Sequence, residues 1–131
     1  MNKVILAGGG TGGHLFPAIA LAEGIRTRYP KAQIFFLGTK RGLEARLLPL
    51  KGYNLLFLSV IGLKRGLNLS VFKVIFFLMK SIMESFKILR QIKPEVVIGT
   101  GGYVSGPAVL MANFLSHTFL KFNYKMFKFK K

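Results

Sequence analysis

The sequence predicts the α/β class: a parallel sheet with helices on both faces. Three observations carry this. Short apolar runs alternate with longer, helix-length segments along most of the chain. Two of those runs end in glycine-rich turns that lead into the next helix. Apolar residues make up 51% of the 131 positions, enough for one core in one domain and too many for a disordered chain.

Residues 3–7 (KVILA) are an apolar run closed by glycines, as expected of a buried parallel strand. Pro17 suits a first helical position, so a helix is expected over residues 18–28, stopping before Pro30. Residues 33–37 read as a second strand ended by Gly38. Residues 42–50 read as a short helix stopped by Gly52, and residues 53–60 as a third strand. A basic loop, residues 62–67, comes next. Ser70 is placed to cap a long helix over residues 71–92, which Pro94 closes. Residues 95–99 form another strand and feed a second glycine loop, residues 99–106. Pro107 then opens a helix to about residue 115. From Ser116 onward the chain is mostly Phe, Lys, Asn and Tyr, without caps or turn glycines. The expected organisation is one domain over residues 1–115 and an aberrant Lys/Phe-rich tail over 116–131, as a truncated or frame-shifted gene would leave.

Twenty Lys and Arg face four Glu and no Asp, for a formal net charge of +16. Setting aside the five lysines of residues 116–131 still leaves a net of +11. Such an excess points to an anionic partner: phosphorylated substrate, anionic membrane face or nucleic acid. No nucleic-acid-binding motif accompanies it, so no nucleic-acid role is expected. The absence of cysteine excludes disulfides, thiolate metal sites and a cysteine nucleophile. With no Asp and dispersed Glu, neither a carboxylate metal site nor a paired-carboxylate hydrolase is expected. Met1 leads straight into a strand with no signal-peptide pattern, and no apolar run is long enough to span a bilayer. A cytosolic or peripheral protein is the expectation.

The first glycine loop is Gly8-Gly9-Gly10-Thr11-Gly12-Gly13-His14. Glycines let backbone N–H groups approach a phosphate unhindered, and the following helix adds its positive end. Gly8, Gly10 and Gly13 satisfy the dinucleotide pattern of a Rossmann-like fold, but Gly38-Thr39-Lys40-Arg41 stands where a ribose-binding acid belongs. NAD is thereby disfavoured, and NADP held through Lys40 or Arg41 is the alternative. No Gly-Lys-Ser/Thr follows, which excludes a P-loop. His14 closes the loop, where an imidazole can take a proton from a hydroxyl. The second loop, Thr100-Gly101-Gly102-Tyr103-Val104-Ser105-Gly106-Pro107, echoes the first and offers the hydroxyls of Tyr103 and Ser105. Both loops leave the carboxyl edge of a parallel sheet, which predicts one shared ligand crevice.

On the helix of residues 71–92, 100° per residue puts Lys73, Lys80, Glu84, Lys87 and Gln91 on one face. Val74, Ile75, Leu78, Ile82, Phe86 and Leu89 fall opposite, as a core face. Phe77 lies among the lysines and Phe76 at the margin. Lys73, Phe76, Phe77 and Lys80 are therefore the candidate contacts with an anionic membrane surface.

Three blocks in order resemble the MurG family, the bacterial peptidoglycan N-acetylglucosaminyltransferases: residues 9–18 (GGTGGHLFPA), 37–44 (LGTKRGLE) and 99–108 (GTGGYVSGPA). The resemblance implies the N-terminal, acceptor-binding half of a two-domain GT-B glycosyltransferase. It implies transfer of GlcNAc from UDP-GlcNAc to the muramoyl C4 hydroxyl of lipid I, the undecaprenyl-diphosphate-linked muramoyl pentapeptide. That reaction yields lipid II at the cytoplasmic face of the membrane, with inversion and without a bound metal or other cofactor. His14 becomes the candidate base. Gly10, Thr11, Gly12, Gly13, Gly101, Gly102, Tyr103 and Ser105 become the candidate substrate-binding residues. After residue 115 the family continues with a strand and a His-Glu-Gln-Asn segment, where this chain has Lys/Phe-rich sequence, and the donor-binding domain is expected to be absent. A non-catalytic acceptor and membrane subunit of a split transferase is the alternative within that family.

Overall fold

The computed structural model describes residues 1–60 and 70–115, and the backbone of residues 118–121. The basic loop at 62–67 and His117 lie outside the described residues. Among the described residues, five strands alternate with four helices: β1 (Lys3–Gly8), α1 (Gly12–Arg28), β2 (Gln33–Gly38), α2 (Leu43–Leu50), β3 (Asn54–Phe57), α3 (Val71–Ile92), β4 (Val96–Gly101), α4 (Ser105–Phe114) and β5 (Thr118–Lys121). The strands form one sheet in the order β3-β2-β1-β4-β5, with every pairing parallel. The order reverses direction between β1 and β4, so their carboxyl ends bound the crevice where ligands sit in open parallel sheets.

The side-chain period of two sorts β1 onto two cores. Val4 and Leu6 join Ile34 and Phe36 of β2 and Ile98 of β4 beneath Leu15, Ala18, Ile19 and Ala22 of α1 and Leu48 of α2. Ile5 and Ala7 join Leu37 and Val97 beneath Leu89 of α3 and Val104, Ala108 and Ala112 on the α4 side. This is the helix–sheet–helix layering expected from the sequence. Most strand residues are buried on both faces, which is why the runs lack polar alternation.

Several boundaries move, some of them at the glycine loops. α1 begins at Gly12 and contains Pro17, rather than starting after it. Pro17 removes the hydrogen bond to the carbonyl of Gly13 and its ring crowds that carbonyl, yet the helix runs on through it near its amino end. β4 runs on to Gly101, and α4 starts at Ser105, two residues before Pro107. β3 is shorter than expected, four residues against eight. α3 matches its expected bounds: Ser70 Oγ accepts from Lys73 N, and Lys93 ends the helix in the left-handed region at φ 52°. The sheet also passes the expected boundary at residue 115, because residues 118–121 pair with β4 as β5.

The buried face of α3 is turned from the one the helical wheel predicts: Leu89 is buried and Val74, Ile82 and Phe86 are half-buried as expected, but the face shifts toward the serines. Ser81, Ser85 and Leu89 are buried and Phe77 is half-buried, whereas Ile75 and Leu78 are 52% and 50% exposed. Small serines allow close packing of the helix on the fold, so size outranks hydrophobicity in choosing the face. Glu84, expected beside the lysines, is half-buried and accepts from Ser59 N at 2.6 Å and Ser59 Oγ at 2.8 Å. It ties α3 to the segment just after β3.

Candidate functional site

β1 and β4 are neighbours, so the two glycine loops that follow them meet at the carboxyl edge of the sheet. Their register shifts between Ala7 and Gly8, which pair with Gly99 and Gly101. The step turns Thr100 toward the first loop, where its hydroxyl donates to the carbonyl of His14 at 2.8 Å. A side chain at Gly8 would collide with the Thr100 hydroxyl, so glycine is required for the loops to interlock.

The apparent echo between the loops hides two different conformations. Gly12 and Gly13 are the first residues of α1, and their N–H groups have no carbonyl within the helix to bond. The matching Gly101 and Gly102 are left-handed, at φ 116° and 81°. In the first loop the left-handed residue is Gly10, at φ 84°. The His14 ring packs directly on the second loop: a Cβ at Gly101 would lie 2.5 Å from His14 Nδ1, and one at Gly102 3.4 Å from His14 Cδ2. His14 is thus half-buried at the seam of the two loops.

Neither helix at the crevice has an acid in its first turn, so each amino end keeps its full partial positive charge. Thr11 occupies the N-cap of α1 in extended conformation without using its side chain as a cap. Thr11 and Gly13 are exposed and Gly12 is half-buried at this helix start. In the second loop Ser105 Oγ donates to the Gly102 carbonyl at 2.9 Å, so this hydroxyl shapes the turn. Tyr103, 53% exposed, stands at the outer side of the same turn.

A further residue organises the site, and the sequence offered little to single it out. Glu44, in the first turn of α2, is fully buried. Its carboxylate accepts from Gly10 N at 2.9 Å, Thr39 N at 2.8 Å and Thr39 Oγ1 at 3.0 Å. Thr39 Oγ1 in turn accepts from Gly42 N at 3.1 Å. One side chain therefore fastens the first glycine loop to the turn after β2. Built Cβ atoms at Gly9, Gly38 and Gly42 would all run into the Glu44 side chain. The three glycines make room for it. An acid at a helix start reads from sequence as a partner of the helix dipole, which conceals this second role.

Of the four candidate membrane contacts, Lys73, Phe76 and Lys80 are exposed. Phe77 is half-buried and lines a cavity with Tyr103 and Pro107, although its ring still meets Phe76 edge-on at 5.6 Å. The exposed face also holds Phe72, Met79 and Met83, which with Phe76 follow helical spacing as one stripe. No helix among the described residues is long and apolar enough to cross a membrane.

The fold has counterparts among known proteins. The model of the glycosyltransferase family 28 N-terminal domain matches residues 4–119. A UDP-N-acetylglucosamine–N-acetylmuramyl-(pentapeptide) pyrophosphoryl-undecaprenol N-acetylglucosamine transferase of Myxococcus xanthus is 53% identical over 112 residues, covering 86% of this chain and 29% of the relative. The enzyme of that name from Clostridioides difficile is 48% identical over 113 residues, covering 86% and 28%. The chain thus spans less than a third of the length of these relatives. The crystal structure of Acinetobacter baumannii MurG superposes with a TM-score of 0.78 at 30% identity, covering 92% of this chain and 34% of that one. A Streptomyces glycosyltransferase, SsfS6, shares the fold at a TM-score of 0.66 and 12% identity. The chain belongs to glycosyltransferase family 28 and corresponds to the N-terminal, Rossmann-like domain of its MurG-like members.

Proposed function

We propose that this chain is the acceptor-side domain of an inverting glycosyltransferase that moves N-acetylglucosamine from UDP-GlcNAc to lipid I, giving lipid II. The observation that carries the reading is the seam at which His14, from one glycine loop, packs on Gly101 and Gly102 of the other. An acceptor diphosphate lies against the N–H groups of Gly12 and Gly13 and the Thr11 hydroxyl, drawn by two uncompensated helix ends. Gly101, Gly102 and Tyr103 bound it from the second loop. Gly10 is placed differently within this set: its N–H already serves Glu44, so it shapes the loop.

His14 then faces the muramoyl C4 hydroxyl, across the sugar ring from the C1-linked diphosphate. As the muramoyl C4 oxygen attacks the anomeric carbon of GlcNAc, the imidazole takes the hydroxyl proton. The bond from that carbon to the UDP oxygen breaks, and UDP leaves with the electron pair. Attack from the face opposite UDP inverts the centre. In a full-length enzyme carrying this domain, His14→Ala is expected to lower kcat about 10²–10⁴-fold, the usual worth of a positioned base, with little change in the KM for UDP-GlcNAc. Unaltered turnover would remove His14 from that role.

Such an acceptor is anchored in a bilayer, and the exposed stripe of α3 supplies a peripheral contact with the cytoplasmic face. Phe72 is 85% and Phe76 63% exposed, with Lys73 and Lys80 on one flank. Burying each Phe contributes about 1.5–3 kcal/mol, and each lysine near an anionic leaflet about 1 kcal/mol. Replacing Phe72 and Phe76 with Ser is expected to abolish co-sedimentation with phosphatidylglycerol vesicles. Retained binding would show that another surface makes the contact.

A further inference from the structure

A cavity of about 180 Å³ lies between α3 and the start of α4. Its walls are Val60, just after β3, Val74, Phe77, Leu78 and Ser81 of α3, Tyr103 of the second glycine loop and Pro107 of α4. The only hydroxyl contributed by α3 is internally satisfied, since Ser81 Oγ donates to the Leu78 carbonyl at 2.8 Å. The floor is therefore apolar although a serine forms it. Tyr103 directly follows Gly101 and Gly102, so the cavity begins one residue beyond the left-handed glycines of the diphosphate crevice.

We propose that this cavity seats the isoprene unit nearest the diphosphate of a prenyl-diphosphate acceptor. The inference rests on the reading of the glycine loops as the diphosphate site and specifies what lies next to it. Three features favour an isoprenoid. The lining is mostly aliphatic and aromatic, which suits a branched hydrocarbon better than a polar sugar or peptide. The volume matches the ligand, because a dry cavity of about 150 Å³ accepts benzene and an isoprene unit has one carbon fewer. The cavity is also continuous at one end with the phosphate-facing loop, and Leu78 and Val74 at its rim share α3 with the exposed stripe of Phe72 and Met79. A prenyl chain leaving the diphosphate would pass through the cavity before it reaches the membrane.

The test compares methyl diphosphate with dimethylallyl diphosphate, which share a head group and differ by the isoprene unit, in calorimetric titrations of the 131-residue chain. Wild type is expected to prefer dimethylallyl diphosphate about tenfold or more, from the apolar surface that the cavity removes from water. Val74→Phe and, separately, Leu78→Trp should fill the cavity and remove the preference while leaving methyl diphosphate affinity unchanged. Leu78 is half-exposed, so its variant is the safer of the two for folding. Phe72→Ser with Met79→Ser, on the outer stripe, should keep the preference. A wild type that binds both ligands equally would overturn the cavity as an isoprenoid site. So would a preference that survives both filling variants or disappears with the outer pair. Failure of wild type to bind either ligand would instead overturn the diphosphate reading of the loops, and the proposal with it.

Discussion

Glu44→Ala is expected to be the most destabilising single change in this domain, at about 3 kcal/mol or more. It removes the charged acceptor from the N–H groups of Gly10 and half-buried Thr39, and hydrogen bonds to a charged group contribute about 1.5–3 kcal/mol each. It also empties a space that three glycines surround. Thermal unfolding followed by circular dichroism should show the midpoint falling on the order of 10 °C. Glu44→Gln keeps one acceptor oxygen and trades the other for an amide that cannot accept, so about half the loss is expected. A midpoint for Glu44→Ala within a degree or two of wild type would mean that the loops hold their geometry without the carboxylate. The same variant should weaken diphosphate binding, because Gly10 precedes the N–H groups that face the crevice.

Gly101→Ala is expected to impair function strongly without touching the base itself. Two penalties coincide there: a φ of 116° that L side chains rarely adopt, and a Cβ 2.5 Å from His14 Nδ1. The backbone strain costs about 1–3 kcal/mol. The imidazole must also move, and misplacing a reacting group by about 1 Å can cost on the order of 10²-fold in rate. Gly52→Ala separates the two effects. Gly52 has a φ of 74° with nothing within 4 Å of its built Cβ, and it lies in the turn after α2. It should lose stability and keep turnover. Measured in a full-length enzyme, equal kcat losses for both variants would show that strain, not displacement of His14, governs the rate.

The sequence made the layering legible because its signals there are local and redundant. Ser70 and Pro94 bracket α3, and uninterrupted runs such as Val4-Ile5-Leu6-Ala7 are what a strand covered on both faces requires. That the two glycine loops share one edge followed from strand alternation, and the pairing of β1 with β4 makes them meet there. Their conformations did not follow. Gly12-Gly13 and Gly101-Gly102 are the same letters, yet one pair starts a helix and the other is left-handed, a choice set by contacts across the β1–β4 step. The orientation of α3 was hidden for a related reason. A hydrophobic count treats Ser81 and Ser85 as surface, whereas close helix packing draws in small side chains regardless of polarity. Glu44 was invisible as an organiser because its partners lie in two loops, and one of those donors is 34 positions away in the chain.

The Glu44 knot also limits how this domain can drift. Gly9, Gly38 and Gly42 each leave space that the same carboxylate fills, so none can gain a methyl group while the glutamate stays. Shrinking the glutamate first would free that space but leave backbone donors unanswered. Every single-step route out passes through a less stable intermediate, and only paired changes are neutral. The four positions should therefore behave as one heritable unit: in a mutational library, the few tolerated substitutions at any of these glycines should occur together with a change at residue 44.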